Sequence, residues 1–257
     1  MKIHHYLAFF TLVRREAVRT KRVIGQAIIA PMVTASLYIF IFGYVIGSSI
    51  TSIEGVKYIN FVFPGILAMN IILAVFGATS FSAFFMKFQK TIEDLLTLPI
   101  SYTELVLSLI IGGVMRALLL SCSLAVIAFI FGISILAHPF ILLLYVLLVS
   151  ILFGLLGVIV GFWADNSFEK IGLATNFVLT PLTFLGGVFY SAKMLPEKMQ
   201  FIVHFNPIYY AVDGIRYALI DYHETSLILG VFVLSALSSL ALAMCVYIFK
   251  TGWKIRS

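Results

Sequence analysis

The feature that most constrains this chain is a set of long stretches containing no Asp, Glu, Lys or Arg. Val23 to Ile53 is one, Tyr58 to Met86 a second, and Leu105 to Ala164 carries only Arg116. Ile171 to Ala192 and Thr225 to Phe249 are free of charge as well. A helix needs about 20 apolar residues to cross a hydrocarbon core of roughly 30 Å, and each run is long enough. Leu105 to Ala164 is too long for one crossing and must fold back. Its break is placed at Gly132 to Pro139, where Gly, Ser, His and Pro cluster as turn residues do. Met199 to Val212 is uncharged but too short to cross, and Asn206-Pro207 interrupts it, so it reads as a re-entrant or interfacial hairpin. The expected fold is an all-α membrane protein of six transmembrane helices in one domain. The spans fall near 25–50, 58–84, 104–131, 139–163, 171–190 and 225–249.

Composition agrees, because 62% of the 257 residues are hydrophobic and 11% are charged, against about 25% charged residues in soluble domains. Too little polar surface remains to clothe a globule in water. The net charge of +6 sits between the apolar runs and at the termini, as expected of loops beside an anionic leaflet and not of a nucleic-acid groove. With the N-terminus inside, the cytoplasmic set is Lys2, Arg14, Arg15, Arg19, Lys21, Arg22, Lys87, Lys90, Lys170, Lys250, Lys254 and Arg256. The outer set is Lys57, Lys193, Lys198 and Arg216. That asymmetry places both termini in the cytoplasm. The first apolar run is too long for a cleavable signal sequence, so the N-terminus is expected to stay inside. Cys122 and Cys245 lie in separate uncharged runs and read as packing residues, not a disulfide.

The segments between spans differ in character. In residues 1–22, Ile3, Tyr6, Leu7, Phe10, Val13 and Ala17 recur at helical spacing while His5, Arg15, Arg19 and Arg22 fall opposite. This predicts an amphipathic helix in the cytoplasmic interface, cations toward headgroups, serving as anchor or as an elbow to the first span. Residues 87–99 place Gln89, Lys90, Glu93, Asp94, Leu95 and Leu96 on a short helix that Pro99 ends. Charge and exposed leucines together make that helix either a docking element or a solvated loop. The outer stretch 190–222 is rich in Tyr, Phe, Pro and Met, which favours ordered helices over a loose loop.

Arg116 is the one ionisable residue deep in a span. Central placement costs about 2.5–3.5 kcal/mol on insertion scales, so it must face a polar interior, another helix or a cavity. Two readings stand: a structural arginine, or a contact for an anionic or polar substrate. No acidic residue lies deep in a span, which argues against a proton relay. The sequence has no G-x-x-x-x-G-K-[ST] loop, no H-E-x-x-H or G-x-S-x-G, and no Cys/His cluster. No catalytic residue, metal ligand or cofactor site is therefore expected, and the chain reads as a non-enzyme. Gly43-x-x-x-Gly47 and Gly157-x-x-x-Gly161 would allow close helix approach.

Several segments occur together in a familiar order: YINFVFPGILAMN, FQKTIEDLLTLPIS, GGVMRALLL, LTPLTFLGGVFYSAKMLP and FNPIYYAVDGIRYAL. Over nearly the whole chain they resemble the ABC-2 type permeases, the membrane subunits of bacterial ABC exporters. The similarity is to the drug and oligosaccharide export branch, which includes nodulation-factor exporters. The resemblance implies a six-span half-transporter of the inner membrane that dimerises, as a homodimer, and recruits two copies of a separate ATPase carrying the ATP and Mg. Gln89, Lys90, Glu93, Asp94, Leu95, Leu96 and Pro99 would form the helix coupling it to that ATPase. Gly186, Gly187, Phe189, Pro196, Asn206, Pro207, Asp213, Gly214 and Arg216 would belong to outer re-entrant helices that close the exit. Arg116 matches a recurrent arginine of the branch. The implied cargo is hydrophobic or amphipathic, a drug-like compound or an oligosaccharide or glycolipid. A permease for lipid-linked polysaccharide of the O-antigen or teichoic acid type is the alternative, and an ion-coupled carrier or channel is the alternative of another class.

Overall fold

The computed structural model describes residues 2–47, 50, 52–96, 100–133, 136–164 and 167–253, with backbone only for 2–8, 93, 94 and 96. Helix α1 spans Lys2–Arg22 and α2 spans Gly25–Ile46, with π-helical turns at both ends of α2. A two-residue hairpin follows, β1 Ser52–Ile53 against β2 Val56–Lys57. Its corner, Glu54-Gly55, has both φ values positive, at 50° and 80°, as a tight two-residue hairpin turn requires. Then come α3 (Tyr58–Phe88), α4 (Thr91–Leu96), α5 (Tyr102–Ile130) and α6 (Pro139–Trp163). Helix α7 runs over 169–185 as Glu169–Leu173, a π-helical turn Ala174–Leu179, and Thr180–Leu185. A 3₁₀ turn at Ala192–Met194 leads to α8 (Glu197–His204), α9 (Pro207–Ile220) and α10 (Leu227–Thr251).

Among the described residues, α2, α3, α5, α6 and α10 are the five helices long and apolar enough to cross a membrane. Helix α7, the fifth expected span, is shorter: its 17 residues cover about 26 Å at 1.5 Å per residue. The predicted fold-back between the third and fourth spans lies at Gly132, whose φ is +69°, and Pro139, which takes the first turn of α6.

Helix α3 is the axis of the bundle. Its central window is 83% buried, because α6, α5, α9 and α2 all pack on it. In lipid there is little hydrophobic drive between helices, so close packing of small residues decides which faces meet. A Cβ at Gly157 would stand 2.6 Å from the Phe76 carbonyl, and one at Gly161 would stand 2.5 Å from that of Ser80. The second Gly-x-x-x-Gly pair thus brings α6 onto α3. The first pair serves in part: Gly43 lets the Ile59 side chain of α3 approach closely, while Gly47 ends α2 against the carbonyl of Gly43.

Helix α1 departs from the expected arrangement. Leu12, Glu16 and Thr20, four residues apart, form its buried face, while Phe10 is 69% exposed. Glu16 packs on Gly112, where an added Cβ would meet its Cβ at 2.9 Å, and Thr20 bonds Arg116. Two positions four apart on α1 therefore meet two positions four apart on α5, so the second half of α1 runs alongside α5. Arg15 and Arg19 turn inward toward α3 and not outward toward headgroups.

Candidate functional site

A cleft of about 850 Å³ opens between α1, α2, α3 and α5. On α3 its wall extends from Leu73 to Met86, with Gln89 and Thr91 at the end next to α4. The residues from Leu73 to Gln89 cover about 24 Å of helix. Beyond Leu73 the cleft stops, because every residue of α3 from Ile66 to Ile72 is buried on all sides. Phe81, Phe85 and Phe168 line the end near α4, and Gly77, which has nothing within 4 Å of an added Cβ, opens directly onto the space.

One side of the cleft is charged. Arg19 donates to the Ser82 hydroxyl and, at 2.9 Å, to the Ala78 carbonyl, and it lies 3.5 Å from the Glu16 carboxylate. Ser82 also donates to Glu16 at 3.1 Å, and Arg15 reaches both Glu16 at 3.3 Å and the Met86 sulfur at 3.4 Å. Burial draws the Arg19 pKa below its ordinary value, with Glu16 opposing the shift and Arg15 adding to it. A carboxylate shared by an arginine and a hydroxyl pins α1 to α3, since a buried charge is tolerated only when paired. Glu16, Thr20 and Ser82 carry no signal in the sequence, where Glu16 is one acid in a basic helix, and the pattern there sends Arg19 toward headgroups instead of α3.

Arg116, at the midpoint of α5, lines the same cleft and donates from Nε to Thr20 Oγ1 at 3.3 Å. It therefore meets both sequence readings halfway: it is bonded to another helix, and it fronts a cavity.

The expected coupling segment stands at the cleft mouth. Helix α3 runs on to Phe88, so Gln89 and Lys90 form a turn instead of joining a helix with residues 93–96. Lys90 sits at φ +56°, and Thr91 opens α4 with its hydroxyl on the Met86 carbonyl at 3.2 Å. Leu95 was expected to be exposed, but it is 8% exposed and packs with Ile92, Leu12 and Leu105. Short helices hide their periodicity, and residues far off in sequence, Leu12 of α1 among them, share the apolar cluster of Leu95. Glu93, Asp94 and Leu96 lie on α4 with side chains outside the description, and Pro99 lies outside the described residues.

The second group of expected residues gathers at the opposite end of α3. The chain turns after α7 at Gly186 and Gly187, the latter at φ +74°. A Cβ at Gly186 would stand 2.6 Å from Ile208 Cγ2. Asn206 caps α9 by accepting from the Ile208 N–H at 3.0 Å while donating to the Leu182 carbonyl at 2.7 Å, and Pro207 takes the first helical position. This ties α9 to α7. Phe189 stacks on Phe42 at 4.3 Å, Pro196 stands just before α8, and Gly214 faces the Tyr145 ring. Asp213 accepts from the Glu224 and Thr225 N–H groups at 2.7 and 3.0 Å and from the Thr225 hydroxyl at 2.7 Å. Arg216, counted among the outer loop cations, is 1% exposed. It donates to the carbonyls of Gly187 at 2.7 Å and Phe61 at 3.4 Å, its guanidinium 3.9 Å above the Phe61 ring. Next to it, burial and the Glu224 and Asp213 carboxylates push the Tyr209 phenol well up, keeping it a donor to Glu224 at 3.2 Å.

Comparison with known proteins fits this layout. Residues 7–220 match the model of the family described as ABC-2 type transporter. The chain is 33% identical over 254 residues to the inner membrane transport permease YadH of Escherichia coli (strain K12), covering 98% of each chain. It is 28% identical over 208 residues to nodulation protein J of Rhizobium meliloti (strain 1021), covering 79% of this chain and 78% of the relative. The corresponding nodulation protein J of Sinorhizobium fredii (strain NBRC 101917 / NGR234) is 24% identical over 209 residues.

Proposed function

This chain belongs to the ABC-2 type transporter family, and from that membership we propose that it is the membrane subunit of an exporter, working as a homodimer and driven by two copies of a separate ATPase. ATP and Mg reside on that partner, and this chain binds and passes the cargo. It lies in the inner membrane with both termini cytoplasmic. Helix α7 makes the sixth span, and α8 and α9 form the re-entrant outer cap. The cargo is a hydrophobic or amphipathic compound, drug-like or an oligosaccharide or glycolipid.

The observation that carries this reading is that Thr91, the first residue of α4, lines the cleft. A partner that pushes α4 acts on the cleft wall directly, with no intervening element to absorb the motion. The cleft is closed toward the outer cap by the buried stretch Ile66 to Ile72, as an inward-facing vestibule must be before transport. Rigid-body displacement of the α1–α4 side would then open the pathway outward.

The test is co-expression with an ATPase encoded beside this chain. The pair should copurify, and ATPase turnover in liposomes should depend on the permease. Repeated failure to copurify, with turnover unchanged by the permease, would overturn the reading.

A further inference from the structure

We propose that the cleft takes an amphiphile with an anionic headgroup seated between Arg19 and Arg116, and that Glu16 is a resident carboxylate which that headgroup displaces from Arg19. This deepens, and rests on, the reading of the cleft as the cargo vestibule.

The charged groups lining the cleft are Arg15, Arg19, Arg116 and Glu16, three guanidinium groups to one carboxylate. Glu16 is engaged by Arg15, Arg19 and Ser82. Among the described residues Arg116 makes one hydrogen bond, from Nε to Thr20, so its terminal nitrogens have no protein acceptor there. An arginine halfway along a membrane helix with idle donors on a cavity wall is an unfilled half of a charge-assisted pair. The wall from α3 is the reverse: Leu73, Ala74, Phe81 and Phe85 offer apolar surface. A cationic side on α1 and α5 facing an apolar side on α3 matches a ligand with one charged end and one apolar body. The volume of about 850 Å³ lies within the range of roughly 300–1,000 Å³ usual for small-molecule pockets. A neutral amphiphile would leave Arg116 uncompensated, and a cationic one would add to the excess.

Glu16 gives the site a means of release. It pairs with Arg19 within α1 and accepts from Ser82 on α3, while Arg19 itself donates to Ala78 and Ser82. An arriving phosphate or carboxylate competes with all of these acceptors for the same guanidinium, so binding loosens the contact between α1 and α3. The ligand thus acts on the element that forms one side of the cleft.

The experiment is calorimetric titration of the full chain in phosphatidylcholine nanodiscs, corrected for empty nanodiscs. Dodecyl phosphate, the neutral dodecyl maltoside and inorganic phosphate are the probes. Dodecyl phosphate should bind about tenfold tighter than dodecyl maltoside or more, the scale of one charge-assisted hydrogen bond, and inorganic phosphate more weakly than either. Arg116→Gln should abolish the preference, Arg116→Lys should keep part of it, and Glu16→Gln should tighten dodecyl phosphate binding. Equal binding of the charged and neutral amphiphiles by the unaltered chain would overturn the proposal, whatever the variants do. So would inorganic phosphate binding as tightly as dodecyl phosphate, or Glu16→Gln weakening binding as Arg116→Gln does. If the preference holds while no ATPase depends on the chain, the exporter reading falls and the headgroup site stands. If an ATPase does depend on it and the preference is absent, the site alone falls.

Discussion

Arg216 reaches across the end of the bundle opposite α4 to Gly187, its Nη2 donating to the glycine carbonyl at 2.7 Å. The same side chain donates to Phe61 at the start of α3, so one buried cation fastens the turn after α7 to the central helix. The Gly187 carbonyl lies outside any helix, whereas that of Phe61 belongs to the ladder of α3. Removing the guanidinium strands the Gly187 carbonyl in a dry interior, at about 1–3 kcal/mol for a buried unsatisfied group, and also removes the cation held over the Phe61 ring. Arg216→Met is therefore expected to lower stability by about 3 kcal/mol, with Arg216→Lys in between because one ammonium cannot span both acceptors. Thermal unfolding in detergent measures the loss. Limited proteolysis should show new cleavage within 186–206 first.

The α3–α6 seam yields a second expectation. Gly157 faces the Phe76 carbonyl and Gly161 that of Ser80, and backbone cannot retreat as a flexible side chain can. Gly157→Ala should cost about 1–3 kcal/mol through overpacking, despite the better helix propensity of alanine. Gly43→Ala should cost less, since an added Cβ meets the Ile59 side chain, Cδ1 at 2.6 Å and Cγ1 at 2.7 Å, and no backbone. The midpoints of thermal unfolding for the two variants test the order, and equal midpoints would contradict the seam.

These examples show what the sequence could and could not disclose. Long crossings were legible because their condition is compositional: α3, α5, α6 and α10 need only an uncharged run of sufficient length. The destinations of polar side chains were not. A helical wheel tells that Arg15 and Arg19 share a side of α1, but their acceptors, Ala78, Ser82 and Met86, lie some sixty residues or more away. The two Gly-x-x-x-Gly pairs are equivalent as strings, and only the neighbouring helix makes one a backbone seam and the other a side-chain contact at Gly43 and a helix end at Gly47. The hairpin at Glu54-Gly55 escaped notice because two-residue strands carry no period.

The turn between α3 and α4 depends on Lys90 at φ +56°, a conformation easy for glycine and strained for a β-branched residue. Lys90→Gly should leave export intact and slightly stabilise the turn. Lys90→Val should tilt α4 out of its seat beside Leu12 and Leu105, impairing copurification with the proposed ATPase partner. Charge reversal of Glu93 and Asp94 together should uncouple ATP hydrolysis from export or prevent assembly. Normal assembly and export in that double variant would remove α4 as the coupling element.

Gly77 provides the cleanest way to separate the cleft from the stability of the bundle. It lines the cleft with nothing within 4 Å of an added Cβ. Gly77→Ala should therefore fit without strain and raise stability by roughly 0.5–1 kcal/mol, the helix-propensity difference between the two residues. Gly77→Phe should place its ring in the space between Ala74 and Phe81 on the apolar wall, leaving α3 seated on α6. Export by reconstituted transporter should fall by an order of magnitude or more in the phenylalanine variant and remain near normal in the alanine variant. Thermal unfolding should show both chains folded. An exporter that carries Gly77→Phe at full rate, with its unfolding midpoint unchanged, would show that cargo does not pass through this cleft.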